Sequence, residues 1–298
     1  MQGLILLNKP SGITSFGAVA KIRKLTGEKR VGHTGTLDPM AVGVLPILLG
    51  RATCLSSYIL EADKSYTATV KLGITTDTED ITGKVLTEKP VNITNEQLIN
   101  ALKKFTGEIS QVPPMYSAIK KDGVPMYKLA RKGETAQIEP RVITVFSINL
   151  EKPLYNNEFT ATVVCSKGTY IRSLFRDIGE FLECGATLTA LCRNSSFGFE
   201  IDKCVNLDDL TEDNIKDYII SEEKAVSNLR EVFVTEKQAV RFSNGGQLSL
   251  DRIKFIPQAD NENIRVKYNG ILLGIGYIDL KKQQIGIKCI LNGSDRIV

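Results

Sequence analysis

Residues 30–46 constrain this chain more than any other stretch. They contain three glycines, two prolines, Asp38 and His33, which is the only histidine in the 298-residue sequence. Glycine allows backbone angles that other residues resist and proline fixes one, so ordering such a segment is costly in entropy. Pro39 biases Asp38 away from the α region. The stretch therefore predicts a shaped loop that presents a carboxylate, although an ordinary Gly/Pro connector has the same composition.

Length and composition set the broad class. A chain of 298 residues can bury a sizeable core, and one large plus one small domain is the natural expectation. Hydrophobic residues make up 42% and charged residues 24%, as in ordinary globular proteins. No apolar run approaches the roughly 18–20 residues that span a bilayer. The first residues lack a basic region and a cleavage site, so they predict a strand and a cytoplasmic protein with no membrane association.

The cysteines and the histidine count limit the possible metal sites. The six cysteines are scattered without a Cys-x-x-Cys pair, which favours reduced, mostly buried thiols over a disulfide framework or a zinc ribbon. A chain with one histidine cannot assemble a His-based metal site. We therefore expect no structural metal.

Charge is unevenly distributed along the chain. Residues 1–40 carry a net charge of +4 and residues 117–141 a net charge of +3, whereas residues 205–236 carry −6. Each basic cluster alone is typical of a solvated face. Two basic clusters set apart from an acidic segment make a track for a phosphate backbone more plausible.

Periodicity predicts a mixed α+β fold. Residues 64–72 alternate like a half-buried strand and place Tyr66 on the apolar face, while residues 94–97 form a capping box that opens a helix. A further helix is expected from 171 to 182, and Asn269-Gly270 joins two apolar runs as in a hairpin. Other helices are expected at 15–26, 51–60 and within 208–223.

These elements predict an α+β chain with a mixed, largely antiparallel sheet flanked by helices. Residues 1–230 are expected to form the larger, catalytic domain. Its basic, tyrosine-bearing segment 115–140 is expected to close over a bound partner, although it could be a mere excursion of the chain. Residues 231–298 are expected to form a small C-terminal β domain.

The usual catalytic signatures are missing. The sequence has no phosphate-binding Gly-x-x-x-x-Gly-Lys loop, no dinucleotide fingerprint, no His-Glu-x-x-His and no Gly-x-Ser-x-Gly. A carboxylate in a shaped loop, tyrosines and arginines remain. That set suits nucleophilic or electrostatic carboxylate catalysis, with an arginine keeping the acid ionised.

Three motifs resemble the TruB family of tRNA pseudouridine synthases. They are LNKPSGITS at 7–15, GHTGTLDP at 32–39 and GTYIR at 168–172. They occur in this order, and the similarity extends over most of residues 1–200. The last 60 or so residues look more loosely like the PUA-like β domain that often follows this catalytic domain. The resemblance implies a pseudouridine synthase-like fold.

The resemblance also implies roles for individual residues. Asp38 matches the catalytic aspartate that attacks or stabilises the ribose C1′–base linkage. Arg172 matches its basic partner, and Tyr66 matches the tyrosine that stacks on the displaced uracil. In isolation, Asp38 could be a turn-forming Asp-Pro residue, Arg172 a surface helix residue and Tyr66 a packed strand tyrosine.

Further residues are implied to bind substrate. His33 matches a residue that wedges into the RNA loop, although it could simply hydrogen-bond within its own loop. Lys9 and Pro10 match supports of the catalytic loop, and Leu191 matches an apolar wall of the uracil pocket. Tyr170 could line the pocket or belong to the core. The basic segment contributes candidate RNA contacts at Lys120, Lys121, Arg131 and Lys132.

The implied substrate is the uridine at position 55 of the tRNA T-loop, bound as the T-stem-loop. A uridine in a folded loop must be extruded before any group reaches its C1′ and C5. Isomerisation changes neither redox state nor composition, so no cofactor is expected, and a monomer without protein partners could do it.

Three other readings remain open on the sequence alone. They are an RNA-binding or tRNA-folding module with secondary catalysis, a guide-RNA-dependent pseudouridine synthase, and a glycoside or nucleoside hydrolase. The hydrolase would need a second carboxylate near Asp38, for which the sequence offers no obvious candidate.

Overall fold

The computed structural model describes residues 1–293 except 60–62, 118, 122, 131 and 135–137, and at 120 and 121 it describes only the backbone. The α-helices of the described residues are α1 (Ser15–Thr26), α2 (Asn95–Lys104), α3 (Met126–Ala130), α4 (Ile171–Phe181) and α5 (Glu236–Ser243). Short 3₁₀ helices span Gly50–Ser57, Ile201–Lys203, Leu207–Asp209, Ile215–Tyr218, Glu222–Val226 and Leu250–Arg252.

The strands in the first part of the chain are β1 (Gly3–Lys9), β2 (Val31–His33), β3 (Val42–Leu49), β4 (Lys64–Leu72), β5 (Ile74–Thr76), β6 (Val85–Glu88), β7 (Gly107–Gln111), β8 (Lys120–Lys121), β9 (Val124–Pro125), β10 (Arg141–Tyr155) and β11 (Glu158–Cys165). The later strands are β12 (Ala186–Ser196), β13 (Phe199–Glu200), β14 (Val205–Asn206), β15 (Arg230–Phe233), β16 (Leu248–Ser249), β17 (Asn263–Tyr268), β18 (Ile271–Asp279) and β19 (Gln284–Ile290).

A large mixed sheet is the centre of the fold. Within the described residues its order is β14-β1-β3-β12-β4-β11-β10-β7, with β13 beside β12 and β2 beside β3. The pairs β1–β14 and β3–β12 are parallel, and the other pairs are antiparallel. Apolar residues of α1, α2 and α4 pack with the sheet in one core cluster. The predicted α+β class with a mixed, largely antiparallel sheet and flanking helices is confirmed.

Local patterns placed several elements correctly. Tyr66, Ala68, Val70 and Leu72 are all buried on one face of β4, as their alternation predicts. Helix α2 has the complete capping box between Thr94 and its third residue.

Helix α1 begins and ends as expected, because the Thr14 side chain accepts a hydrogen bond from the Gly17 amide and Gly27 ends the helix at φ 63°. Phe16 is 67% exposed, and Ile22 is among the residues on the buried face.

The Gly/Pro stretch is a loop only in its middle. Its two ends are β2 and β3, which pair with each other, so residues 34–41 form the loop and Pro46 lies within a strand. Residues of β3 are buried almost without interruption, as in strands covered on both faces. The glycines and prolines predicted a loop over the whole stretch, and the apolar strand β3 that follows the loop was not predicted.

Two helix predictions were wrong. Residues 51–60 were expected to be α-helical, but the described part is the 3₁₀ helix Gly50–Ser57. The acidic segment 208–223 contains only short 3₁₀ helices, separated by a turn at 212–214 and by short non-helical stretches. Strand β12 was not predicted at all, because its sequence mixes Thr, Ser, Arg and apolar residues without clean alternation.

A second sheet forms from the C-terminal part of the chain, in the order β15-β17-β18-β19-β16. The predicted hairpin between β17 and β18 is confirmed, with positive φ at both Asn269 and Gly270 as a type I′ turn requires. This sheet packs on the large one through a shared apolar cluster that includes Leu4, Leu48 and Leu272. The domain boundary at 230/231 stays a prediction.

The structure places a disulfide between Cys54 and Cys289, whose Cα atoms are 6.1 Å apart. The expectation of reduced cysteines is therefore wrong for this pair, while cysteines 165, 184, 192 and 204 are free. The two partners are 235 positions apart. Sequence spacing does not reveal the pair, because only the packing of the 3₁₀ helix Gly50–Ser57 against β19 brings it together.

Within the described residues, no helix combines the length and the apolar character that crossing a membrane requires.

Gly43 is a site where a side chain should not be tolerated. Its φ is +106°, and a Cβ there would lie 2.3 Å from the carbonyl oxygen and 2.8 Å from the nitrogen of Arg193 in β12. We expect Gly43→Ala to lower the free energy of unfolding by about 2–4 kcal/mol, measured by urea denaturation. Gly32→Ala in β2 is the matched control, because its Cβ would lie 3.7 Å from Thr53. A loss at Gly32 equal to that at Gly43 would contradict this explanation.

Candidate active site

Asp38 and Arg172 form the central pair of the site. The Arg172 Nε lies 2.9 Å from Asp38 Oδ2, and Arg172 Nη2 donates to Oδ1 at 3.0 Å. This is the two-pronged geometry in which a guanidinium holds a carboxylate most firmly. Arg172 is 5% exposed, whereas the Asp38 side chain keeps 30% of its surface exposed. Arg172 therefore holds the Asp38 carboxylate from the buried side, and part of the Asp38 side chain remains accessible.

Three further groups hold Arg172. Its Nη1 donates to the Thr78 carbonyl at 2.7 Å, and its Nη2 donates to the Tyr116 carbonyl at 2.9 Å. The Asp80 carboxylate lies 3.9 Å from Nη1 and is itself buried. Because all these acceptors surround the guanidinium, its position is fixed before any substrate binds.

Burial raises the pKa of Asp38 above the usual range for a carboxyl group. The Arg172 guanidinium acts against this shift, and the neighbouring Asp80 charge adds to it. The ionised form of Asp38 thus depends on Arg172, which is the role that the sequence reasoning gave to an arginine.

The loop that carries Asp38 is held from beneath by Lys9. This lysine is fully buried, and its Nζ donates to the carbonyls of Pro10 at 2.8 Å, Ile13 at 2.7 Å and Pro39 at 3.3 Å. The carbonyl of Pro10 is therefore one of the ammonium's three acceptors. Burial lowers the pKa of Lys9 to about 8, although the Asp38 charge acts against the shift.

Ser15 gives the loop a second support. Its hydroxyl donates to the Leu37 carbonyl at 3.0 Å and accepts from the Leu37 amide at 2.8 Å. The motif at 7–15 and the motif at 32–39 are thus joined immediately beside Asp38.

Tyr66 and Leu191 lie on adjacent strands of the large sheet. Tyr66 is 7% exposed and pairs in register with Arg193, while Leu191 is 5% exposed and pairs with Ala68. Burial raises the pKa of the Tyr66 hydroxyl, and the Arg193 guanidinium acts against that shift. Both side chains also belong to the main apolar core, so Tyr66 combines core packing with proximity to the site.

His33 ends β2, directly before the loop. Its Nδ1 is buried and has no hydrogen-bond partner within the described residues. Burial and the Arg193 charge lower its pKa, so the ring is neutral at neutral pH. The ring is therefore half-buried and uncharged, with a free polar atom.

Tyr170 precedes α4, and its backbone exchanges two hydrogen bonds with the Gln111 side chain. Its own side chain is only partly buried, and burial raises the pKa of its hydroxyl. Of the candidate RNA contacts in the basic segment, Lys120 and Lys121 form β8, whose backbone pairs with β9. Lys132 is exposed in a turn. Arg131 lies outside the described residues.

Comparison with known proteins identifies the chain. Residues 23–171 match the model of the TruB family pseudouridylate synthase N-terminal domain, and residues 172–239 match that of the tRNA pseudouridylate synthase B C-terminal domain. A tRNA pseudouridine synthase B of Clostridium perfringens strain 13 is 45% identical, with 94% of this chain and 96% of the relative covered. The chain belongs to the TruB family.

A second TruB relative, from Geotalea uraniireducens, is 40% identical and also carries the name tRNA pseudouridine synthase B, with 92% of this chain and 91% of the relative covered. The chain is therefore a tRNA pseudouridine synthase of this family, which is an isomerase. Solved structures agree on the fold. The Cbf5 chain of a Cbf5–Nop10–Gar1 complex is 27% identical, with a TM-score of 0.76 over 99% of this chain and 86% of that one.

Family membership also settles one alternative reading. The hydrolase hypothesis requires a second catalytic carboxylate near Asp38. The structure places Asp80 near Asp38, but its Oδ1 accepts hydrogen bonds from Thr78 and from the backbone and side chain of Thr82. Asp80 is thus committed to its own turn in this TruB chain.

Sequence reasoning missed three residues of the site. The motifs and patterns of the sequence assigned no role in the site to Asp80, Ser15 or Arg193. Arg193 is 1% exposed, and its guanidinium donates to the carbonyls of Val44 at 2.7 Å and Gly35 at 3.2 Å. The detectable signal was a lone arginine two positions after Leu191, inside an otherwise apolar stretch.

Within the described residues, no group of three or more His, Cys, Asp and Glu side chains is arranged to hold a metal ion.

Arg193 should position the catalytic loop. We expect Arg193→Lys to lower kcat roughly 10- to 100-fold with RNA affinity within about threefold of wild type, because an ammonium keeps the charge but loses the planar fork. Single-turnover rates and filter binding measure the two quantities. Arg265→Lys, at a largely buried arginine of the C-terminal sheet, is the control. Equal kcat losses in both variants would reduce Arg193 to a general stabilising residue.

Lys9 should make activity fall at alkaline pH. Deprotonation leaves an amine with too few donors for three carbonyls, so we expect kcat of the wild type to decline as pH rises through about 8. Lys9→Met should be slower throughout and flat between pH 7 and 9. Lys64→Met, at the other lysine with a pKa of about 8, should keep the decline. A wild-type rate that stays constant to pH 9 would contradict this role.

Proposed function

We propose that this TruB chain converts the uridine at position 55 of the tRNA T-loop into pseudouridine, with Asp38 as the catalytic carboxylate. The observation that carries the proposal is the Asp38–Arg172 pair, in which a partly exposed carboxylate is gripped by a buried, fully engaged guanidinium. An unpaired aspartate in an ordinary loop would lack both the buried arginine partner and that arginine's set of acceptors.

In the proposed reaction, Asp38 attacks or stabilises C1′ while the bond from C1′ to N1 of uracil breaks. The base then turns and a bond from C1′ to C5 forms, C5 loses its proton and N1 gains one. Arg172 keeps the carboxylate charged for this step, because burial alone favours its neutral form. No electron is gained or lost overall, so the proposal uses no cofactor.

Tyr66 and Leu191 suit the pocket for the detached base. Stacking of a base on an aromatic ring contributes on the order of 1–3 kcal/mol, comparable to the cost of extruding a nucleotide. Tyr66 lies close enough to Asp38 for the two to interact electrostatically, and Leu191 belongs to the same buried surface. Apolar neighbours exclude water, which would otherwise hydrolyse the ribose intermediate. Tyr170 adds a second tyrosine at the N-terminus of α4.

His33 suits the space that the extruded nucleotide leaves. Its ring is flat and, because burial lowers its pKa, neutral, so it can stack in an RNA loop without bringing a charge into it. Because β2 ends at His33, the ring sits on a rigid strand immediately before the catalytic loop.

The rest of the chain is assigned to RNA binding. We propose that the T-stem-loop lies against the basic segment 115–140, with Lys120, Lys121, Arg131 and Lys132 near its phosphates, and that 231–298 form an RNA-binding PUA-like domain. The segment is tied to the site, since the Tyr116 carbonyl accepts from Arg172. The enzyme is proposed to act as a cytoplasmic monomer.

One observation favours a guide-RNA-dependent enzyme instead. One solved structure is that of an H/ACA RNP bound to a substrate RNA containing 2′-deoxyuridine. A chain of that structure is 26% identical to this one, with a TM-score of 0.74 over 98% of this chain. The curated relatives at 40–45% identity carry the tRNA enzyme's name, and they are closer in sequence. We therefore prefer direct action on tRNA.

Mapping of modified uridines tests the proposal. Substoichiometric wild-type protein should convert position 55 of a bare tRNA transcript over many turnovers, without a guide RNA. Asp38→Asn should lose about 10³-fold or more of the rate while binding the same transcript within about threefold, because the amide cannot act as a charged carboxylate. Asp202→Asn, at an exposed aspartate, is the control.

Three outcomes would contradict the proposal in different ways. Substantial product from Asp38→Asn would remove Asp38 from the mechanism. Modification at another uridine would refute position 55, and binding without turnover would favour the RNA-folding module.

A further inference from the structure

An open pocket of about 380 Å³ lies where the two sheets meet, away from the Asp38 carboxylate. It is lined by Arg30, Arg51, Thr53, Cys54, Ser243 and Ile290. The first four belong to the β2–β3 region and its 3₁₀ helix, and the last two belong to α5 and β19. The pocket therefore exists only because the C-terminal sheet is docked.

The two arginines of this junction pocket have uncommitted charges. Among the described residues, neither guanidinium makes a hydrogen bond or ion pair, and both side chains are exposed. No acidic residue lines the pocket. The nearby Glu28 carboxylate is already bound by the N-terminal ammonium and the Arg30 backbone amide. Two positive charges thus face one concavity without a local counter-ion.

Ser243 supplies an independent indication of a ligand. It is the last residue of α5 and is 8% exposed, yet its hydroxyl has no hydrogen-bond partner within the described residues. A buried hydroxyl without a partner is costly, and native structures rarely leave one so. The Thr53 hydroxyl differs, since it donates to the Gly50 carbonyl at 2.8 Å.

Two guanidinium groups and one free hydroxyl are donors without an acceptor, which is the chemistry that recognises a phosphate group. The first turn of the 3₁₀ helix Gly50–Ser57 also lines the pocket, and helix N-termini carry partial positive charge. We propose that the junction pocket formed by Arg30, Arg51 and Ser243 binds a phosphate group.

The pocket's position indicates which phosphate. Arg30 directly precedes β2, and His33 ends it, so the two residues are about 10 Å apart along one extended strand. An RNA whose loop reaches His33 can place a backbone phosphate at Arg30. This assignment to RNA rests on the proposed function, whereas binding of phosphate as such does not. A free phosphate anion is the other source of the same chemistry.

The pocket is preformed rather than assembled by its ligand. The apolar cluster containing Ala52, Leu55 and Ile275 packs between its two walls and holds them together. A phosphate would therefore bind a fixed set of donors at small entropic cost.

The test compares full-length wild type with Arg30→Gln/Arg51→Gln and with Ser243→Ala. The matched control is Lys103→Gln/Lys152→Gln, which removes the same charge from exposed positions outside the pocket and outside the segments proposed to bind RNA. Affinity for a tRNA transcript is measured over a salt series, and melting temperature is measured with and without inorganic phosphate.

If the pocket holds an RNA phosphate, the double arginine variant should bind tRNA roughly tenfold more weakly, and its log–log salt slope should fall by about one. Ser243→Ala should weaken binding less, because it removes one neutral donor rather than two charges. If the pocket holds a free anion, phosphate should raise the melting temperature of wild type and of the control but not of the double variant, with the tRNA slope unchanged.

Two results would overturn the proposal. One is a double variant that matches wild type in both the salt slope and the phosphate effect. The other is a control that loses as much slope as the double variant, which would attribute the effect to overall charge. Neither result depends on which uridine is modified, so failure here is distinguishable from failure of the proposed function.

Discussion

The bidentate contact between Asp38 and Arg172 joins the two parts of the chain on which the site depends. One partner lies in a loop between β2 and β3, and the other opens α4, 134 positions later. A buried guanidinium is stable only when its donors are satisfied, and a buried carboxylate is ionised only beside a positive charge. Each group thus makes the other's environment tolerable. The loop, the turn at 77–80 and the start of the basic segment all converge on this contact.

Buried cations recur around the same loop and have a common purpose. Lys9, Arg172 and Arg193 are all almost fully buried, and most of their acceptors are backbone carbonyls rather than carboxylates. Carbonyls of a loop rich in glycine and proline have few partners of their own, because such a segment forms no regular ladder. Lys9 and Arg193 supply such partners to the carbonyls of Pro39 and Gly35. Arg172 instead holds the Asp38 carboxylate and carbonyls outside the loop. The positive charge that this places under the site also suits a polyanionic substrate, which connects loop order to RNA binding.

The sequence predicted the local parts of this molecule well. Alternation in β4, the capping box of α2 and the Asn269-Gly270 hairpin depend on neighbouring residues alone, and each was correct. Family motifs indicated Asp38, Arg172 and Lys9 as candidates, and the structure brings them together. The sequence could not reveal that Asp80 and Arg193 belong to the same site. Neither carries a distinctive local pattern, and their partners are remote in the chain.

By itself, then, the sequence determined which segments turn, cap and alternate, and it identified the carboxylate loop through its glycines, its prolines and its motif. Those properties follow from steric limits and hydrogen bonding within a few residues. Only the tertiary structure decided that β12 runs beside β3 and β4, which brings Arg193 beneath the loop, and that Cys54 meets Cys289. The packing of the C-terminal sheet against the large sheet likewise creates the junction pocket. The reason is physical, since burial and long-range pairing depend on how distant segments pack, and packing is a property of the whole chain.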